Sequence, residues 1–227
     1  MSGAPLPECV DVCALTKSQR KNAQRDRRRA ELRSREDHEL EAACDAVRVS
    51  ESSRVDHIGE ESASEPAENL ARVCCRHDAR ACVRYGALPL LVGVLRLHSR
   101  DASVAALCFK AIAHLCAGAA AQQDEAIESG ILHIYLTCLE LHIEVVSVVA
   151  ACCHALCHLA TGLGAAARRD AAASAGMLDV LVLIAERWKS DEATNAAALA
   201  ALRSLTRDSA RLQEHARMAG AEARWLV

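Results

Sequence analysis

Aromatic side chains are scarce: 227 residues include two Trp, two Tyr and one Phe. Single-stranded nucleic acid is held by stacking bases on successive aromatic rings, so that function class finds no platform here. Only four prolines interrupt the chain, which leaves long stretches free to be helical. The longest apolar run, residues 145–160, is shorter than the roughly 20 residues of a membrane-spanning helix and contains His154 and His158. No transmembrane segment is expected. Residues 1–16 show neither the basic nor the apolar region of a secretory signal. The expected setting is therefore reducing and cytoplasmic, with cytoskeletal or nuclear association open, and the twelve cysteines are expected to remain thiols. A net charge of −3 gives no general attraction to nucleic acid or to an anionic membrane.

The chain is rich in small and aliphatic residues. Hydrophobic residues make up 52% of it, chiefly Ala, Leu, Val and Cys, a composition that favours helices able to approach closely. Seven cysteines (Cys74, Cys75, Cys108, Cys116, Cys152, Cys153, Cys157) fall in segments that read as buried helix.

One pattern recurs three times. Gly86-Ala87-Leu88 leads to Ala113-His114-Leu115, Gly130-Ile131-Leu132 to Cys157-His158-Leu159, and Gly176-Met177-Leu178 to Arg203-Ser204-Leu205. In each copy the glycine and the closing leucine are 29 residues apart, and successive glycines, Gly220 included, are 44 to 46 apart. Self-similarity at this period is the mark of helical repeats that bury their faces on one another. Each copy reads as three helices. The first is short (79–85, 123–129, 169–175), and the glycine after it suits a left-handed corner. The second starts at once, with Pro89 in a first-turn position in the first copy. The third is long and apolar: Val104, Leu107, Cys108, Ala111, Ile112 and Leu115 recur with helical period. Repeats are placed at about 79–117, 121–161 and 167–207, with a partial repeat over 208–227. Residues 66–76 are expected to form a capping helix, and Trp225 to close the far end.

Ahead of the repeats the charge divides sharply. Residues 1–16 hold Pro5, Pro7 and the pair Cys9 and Cys13, and are expected to be disordered. Residues 17–35 carry a local charge of +7. Arg25, Arg27, Arg28, Arg29, Arg33 and Arg35 are its candidate contact residues, in a charged arm over 17–49 with a thin apolar stripe of Leu32, Leu40, Ala43 and Val47. Residues 50–65 read as an acidic flexible linker.

The 44-to-46-residue period, the Gly-apolar-Leu corner and the third-helix ending Ala-Leu-Cys-His-Leu-Ala of 155–160 resemble the armadillo repeat, with the HEAT repeat as close rival. The resemblance implies an all-α, right-handed solenoid preceded by a basic helical or disordered arm. It also implies that the third helices line a groove for an extended peptide, gripped in the family by an Asn just before the closing leucine. Asn69, His114, His158 and Ser204 stand at that position here, and Lys110, His154 and Ala200 one turn earlier, where the family's nuclear-import adaptors place Trp. Ser103 and Ser147 complete the candidate groove.

Catalysis is not expected, since no Cys–His pair has a marked orienting group or oxyanion hole. Gly162-Leu163-Gly164 reads as an interhelical loop, not a phosphate cradle. His154 and His158, one helical turn apart, are of a spacing that can chelate a metal from a single helix, with a partner such as His114, but plain groove or core residues are the favoured reading; no metal and no cofactor is expected. The expected function is a non-enzymatic adaptor or scaffold for a segment or helix of another protein. An acidic protein surface is the second expected contact, through the arm. The alternatives are a structural subunit of a cytoskeletal or ciliary assembly and a nuclear-transport adaptor of importin-α-like layout.

Overall fold

The computed structural model describes residues 17–53 and 64–226, with side chains over 21–50 and 64–226. All regular structure in them is helical; there is no strand among the described residues. The elements are α1 (Lys17–Ser53), α2 (Ser64–Arg76), α3 (Ala79–Arg84), α4 (Ala87–Leu97), α5 (Ala102–Cys116), α6 (Ala120–Glu128), α7 (Ile131–His142), α8 (Val146–Leu159), α9 (Ala165–Ser174), α10 (Met177–Arg187), α11 (Glu192–Thr206) and α12 (Ala210–Met218). A 3-10 turn, Ala223–Trp225, follows.

The chain divides into two units, residues 1–39 and 40–227. In the first, residues 21–39 of α1 are exposed almost throughout, because their Arg and Glu side chains have no apolar face to bury. Leu32, read as part of the apolar stripe, is 51% exposed.

The second unit begins inside α1, and here the structure differs from the boundary read at residue 50. Leu40, Ala43, Cys44 and Val47 follow the spacing i, i+3, i+4, i+7, so they share one face, and all four are buried in the core. That face ties residues 40–49 to the repeats instead of to the arm. The helix runs on to Ser53, and α2 starts at Ser64, both inside the segment read as linker. The expected disorder of 1–16 and the rest of that linker, 54–63, lie outside the described residues.

From α2 onward the helices follow the expected period. Asp101 opens α5 by accepting hydrogen bonds from the backbone N–H groups of Ser103 and Val104, at 2.9 and 3.2 Å. Asp191 does the same for α11 through the N–H of Thr194 at 2.8 Å. Gly86, Gly130 and Gly176 turn the chain between first and second helices at φ of 71°, 80° and 91°, where a β-carbon would be strained. The first helices α6 and α9 start earlier than read from sequence, at Ala120 and Ala165, the latter directly after left-handed Gly164. Helix α2 packs on α5, α5 on α8, and α8 on α11. Between them lie the closing leucines Leu70, Leu115, Leu159 and Leu205, each no more than 2% exposed. Burying such a side chain contributes about 1.5–3 kcal/mol, so these four positions anchor the row. Phe109 and Tyr135, with ring centroids 4.7 Å apart, fill the space between α5 and α7. Trp225 is buried, and Arg203 Nε donates to its carbonyl at 2.9 Å.

The cysteines divide differently from the expectation. Cys75 is exposed and Cys157 half-buried, whereas Cys44, Cys82 and Cys138 join Cys74, Cys108, Cys116, Cys152 and Cys153 in the interior. Cys75 directly follows buried Cys74, and the 100° step between neighbours carries it off the buried face.

Candidate functional site: the exposed stripe of α2, α5, α8 and α11

A helix packed on both flanks by its neighbours keeps only one narrow stripe in solvent. On α5 the exposed residues are Ser103, Lys110 and His114; on α8 they are Val146, Ser147 and His154, with His158 half-buried at its end; on α2 they are Glu65, Asn69, Arg72, Cys75 and Arg76. The helical spacings i+4 and i+7 set most of these side chains above one another. Seven of the eight candidate groove residues therefore reach solvent on this row.

Ser204 does not. Although it precedes the closing leucine, as His114 and His158 do, it is only 9% exposed and interacts with the side chain of Cys157 across the α8–α11 contact. Small Ser fits between the packed helices where the imidazoles of the earlier copies turn outward. The solvent-facing residues of α11 are instead Glu192, Ala193, Ala196, Ala200 and Arg203, with exposed Arg207 just past its C-terminal end.

Local bonds fix several members of the stripe. Ser103 Oγ donates to Glu68 at 3.2 Å, and Arg72 pairs with the same carboxylate, joining α2 to α5. His114 Nε2 lies 3.0 Å from the carbonyl of His77. The rings of His154 and His158 meet edge-on with centroids 4.8 Å apart. Burial, and then the neighbouring His154, hold the His158 imidazole below its ordinary pKa. The Cys157 thiol is raised by burial, against the opposing pull of Ser204 and Arg207. Burial likewise raises Cys75, with Lys110 acting in the other direction.

Beneath the α8 end of the stripe lies a polar cluster that sequence reasoning missed. Arg168, on α9, is 3% exposed. Its Nε donates to the carbonyl of Leu159 at 2.8 Å, and its terminal nitrogens to the carbonyls of Thr161 and Leu163, to Gln123 Oε1 and to the Asp124 carboxylate. Gln123 in turn donates to the carbonyls of Cys116 and His158, each at 2.8 Å. A signal was present: Gln123, Arg168 and Gln213 are 45 residues apart, and each reaches the carbonyl seven residues before it, in Cys116, Thr161 and Thr206. The cluster fixes the backbone from which His158 projects.

Among the described residues, no group of three His, Cys, Asp or Glu side chains is arranged to hold a metal ion. His114, His154 and His158 are not brought together as a ligand set. Among the described residues, no helix is long and apolar enough to cross a membrane. The arginines of residues 25–35 are exposed on α1, in the other unit.

No protein-family model matches the chain, and no curated protein does. Among solved structures it is similar to the crystal structure of an engineered protein, with 18% identity over 92% of this chain and 91% of that one, and a TM-score of 0.53. At that identity the likeness concerns the fold alone.

Proposed function

We propose that the chain is a non-enzymatic protein-binding scaffold, an armadillo-like right-handed solenoid whose row of third helices holds a segment of another protein. The observation that carries this reading is the exposed stripe itself. Asn69, His114 and His158 stand at equivalent positions of packed neighbours, with Lys110 and His154 one turn earlier, and all five reach solvent while the leucines beside them are buried. A rigid row of this kind presents repeated contacts at fixed spacing, which suits an extended or helical ligand and keeps the entropic cost of ordering the receptor low.

The test is affinity purification with the full-length chain, comparing the double variant Lys110→Asp/His154→Asp with Met218→Asp, a change at an exposed site on α12. Proteins that bind the stripe are depleted at least tenfold by the first variant and retained by the second. Equal recovery of every bound protein by both variants refutes the reading.

A further inference from the structure

The chain as a whole is acidic, with 30 Asp and Glu against 27 Lys and Arg, yet its row of third helices holds only three carboxylates, Glu65 and Glu68 of α2 and Glu192 of α11. Helices α5 and α8 contain none, and α11 has only Glu192, its first residue. The exposed charges along the C-terminal halves of the row are Arg72 and Arg76 on α2, Lys110 on α5, Arg203 on α11, and Arg207 with Asp208 beside it in the turn just after α11, with the imidazoles of His114, His154 and His158 between them. On α2, Glu65 and Glu68 oppose them, but Glu68 is already engaged by Arg72 and Ser103. Neither Lys110 nor Arg207 forms an ion pair among the described residues. A cation left without a partner in solvent keeps its full capacity for a charge-assisted hydrogen bond.

From this separation of charge we infer that the stripe takes an acidic, extended segment of a partner protein. The inference rests on the proposed scaffold reading and names the chemistry of its ligand. Packed helices lie about 8–10 Å apart, so the three steps from α2 to α11 span about 24–30 Å. An extended strand rises about 3.3 Å per residue, and about nine residues cover that distance. Its carboxylates match the row when they recur about every third residue, one per helix step. A nucleic-acid strand fits less well: the stripe exposes no Trp, Tyr or Phe on which a base can stack. Charge pairs at such an exposed face act mainly on specificity and association rate, so the contact is salt-sensitive.

The experiment uses the full-length chain with Arg25, Arg27, Arg28, Arg29, Arg33 and Arg35 changed to Gln, which removes the competing arm. The probes are a fluorescein-labelled nine-residue peptide with Glu at every third position, its Gln counterpart, and a nine-nucleotide single strand, read by fluorescence anisotropy. Preference for the Glu peptide over both other probes by tenfold or more is expected. Lys110→Glu and Arg207→Glu are each expected to weaken it about tenfold, with Met218→Glu as the control. Unchanged circular dichroism of the variants establishes that folding is intact, and Lys110→Ala supplies a milder version of the same test. If the Gln peptide binds equally well and is lost in the same variants, the acidic ligand is refuted while the scaffold reading stands. Binding of the Glu peptide that ignores both charge reversals, or no binding at all, overturns the inference. A tighter complex with the oligonucleotide overturns it in favour of nucleic acid.

Discussion

The corner between α8 and α9 and the corner between α2 and α3 stand at equivalent points of the period, where a third helix hands over to the next first helix. They are closed by unlike chemistry. At α8–α9 five residues separate the helices, and the carbonyls of Leu159, Thr161 and Leu163 turn toward the guanidinium of Arg168. At α2–α3 only two residues intervene. The buried thiol of Cys82 there donates to the carbonyl of Cys74 at 3.9 Å, and Cys44, from α1, is buried nearby. The longer connection leaves more carbonyls outside helical bonding, and a guanidinium with five donors answers several of them at once. The shorter one has few to satisfy, and the small buried side chains of Cys74 and Cys82 meet there. Loop length, more than position in the repeat, decides whether a corner needs a buried charge.

The comparison breaks most sharply at Arg168. Arg168→Ala leaves three carbonyls and Gln123 without their donor and is expected to cost about 3–5 kcal/mol, as removal of one member of a buried charged cluster does. Urea unfolding followed by circular dichroism measures it, and a loss below about 1 kcal/mol would mean that water replaces the guanidinium freely. Cys82→Ala at the other corner removes one buried sulfur and a weak donor, for an expected loss of about 1 kcal/mol. If the two losses prove equal, the distinction between the corners fails. The smallest effect concerns His158, whose carbonyl Gln123 holds. Its imidazole pKa is lowered in the fold, so the neutral form contributes stability at pH values above the ordinary histidine pKa, and that contribution is lost as pH falls through the lowered value. A proton-NMR titration should place His158 below free histidine. His154→Ala should return it part of the way, since burial, the larger cause, remains.

The repeats were legible because buried leucines at fixed spacing, Leu115, Leu159 and Leu205, leave a periodic imprint on the sequence. The exposed positions followed from the same register: once the leucine is inside, the residues one turn apart on the opposite edge are outside. Ser204 broke that rule because whether a side chain at this position turns outward depends on its size, which the register does not encode. The buried part of α1 was hidden by its neighbours. Leu40, Ala43 and Val47 were visible as a stripe, but the arginines before them suggested one uniform arm, and Leu32 lengthened the stripe falsely. Arg168 was hardest to read. A polar residue recurring every 45 positions looks like a solvated face unless the carbonyls that it serves are known. The charge of the stripe was only half visible: His114 and Lys110 could be named, but that neither Lys110 nor Arg207 forms an ion pair among the described residues is a fact of packing.

The buried thiols carry a consequence for kinetics. Cys44, Cys74, Cys82, Cys108, Cys116, Cys138, Cys152 and Cys153 are spread over α1, α2, α3, α5, α7 and α8, so most layers of the front and middle repeats hold at least one. Burial raises Cys116 and Cys153 to about 12 and Cys138 to about 11, and a protonated, enclosed thiol does not react with an alkylating agent. Each becomes reactive only while its own helix is displaced. Labelling rates resolved cysteine by cysteine would thus time the opening of each helix separately. α9, α10, α11 and α12 hold no cysteine, so the far end would open without registering on that clock.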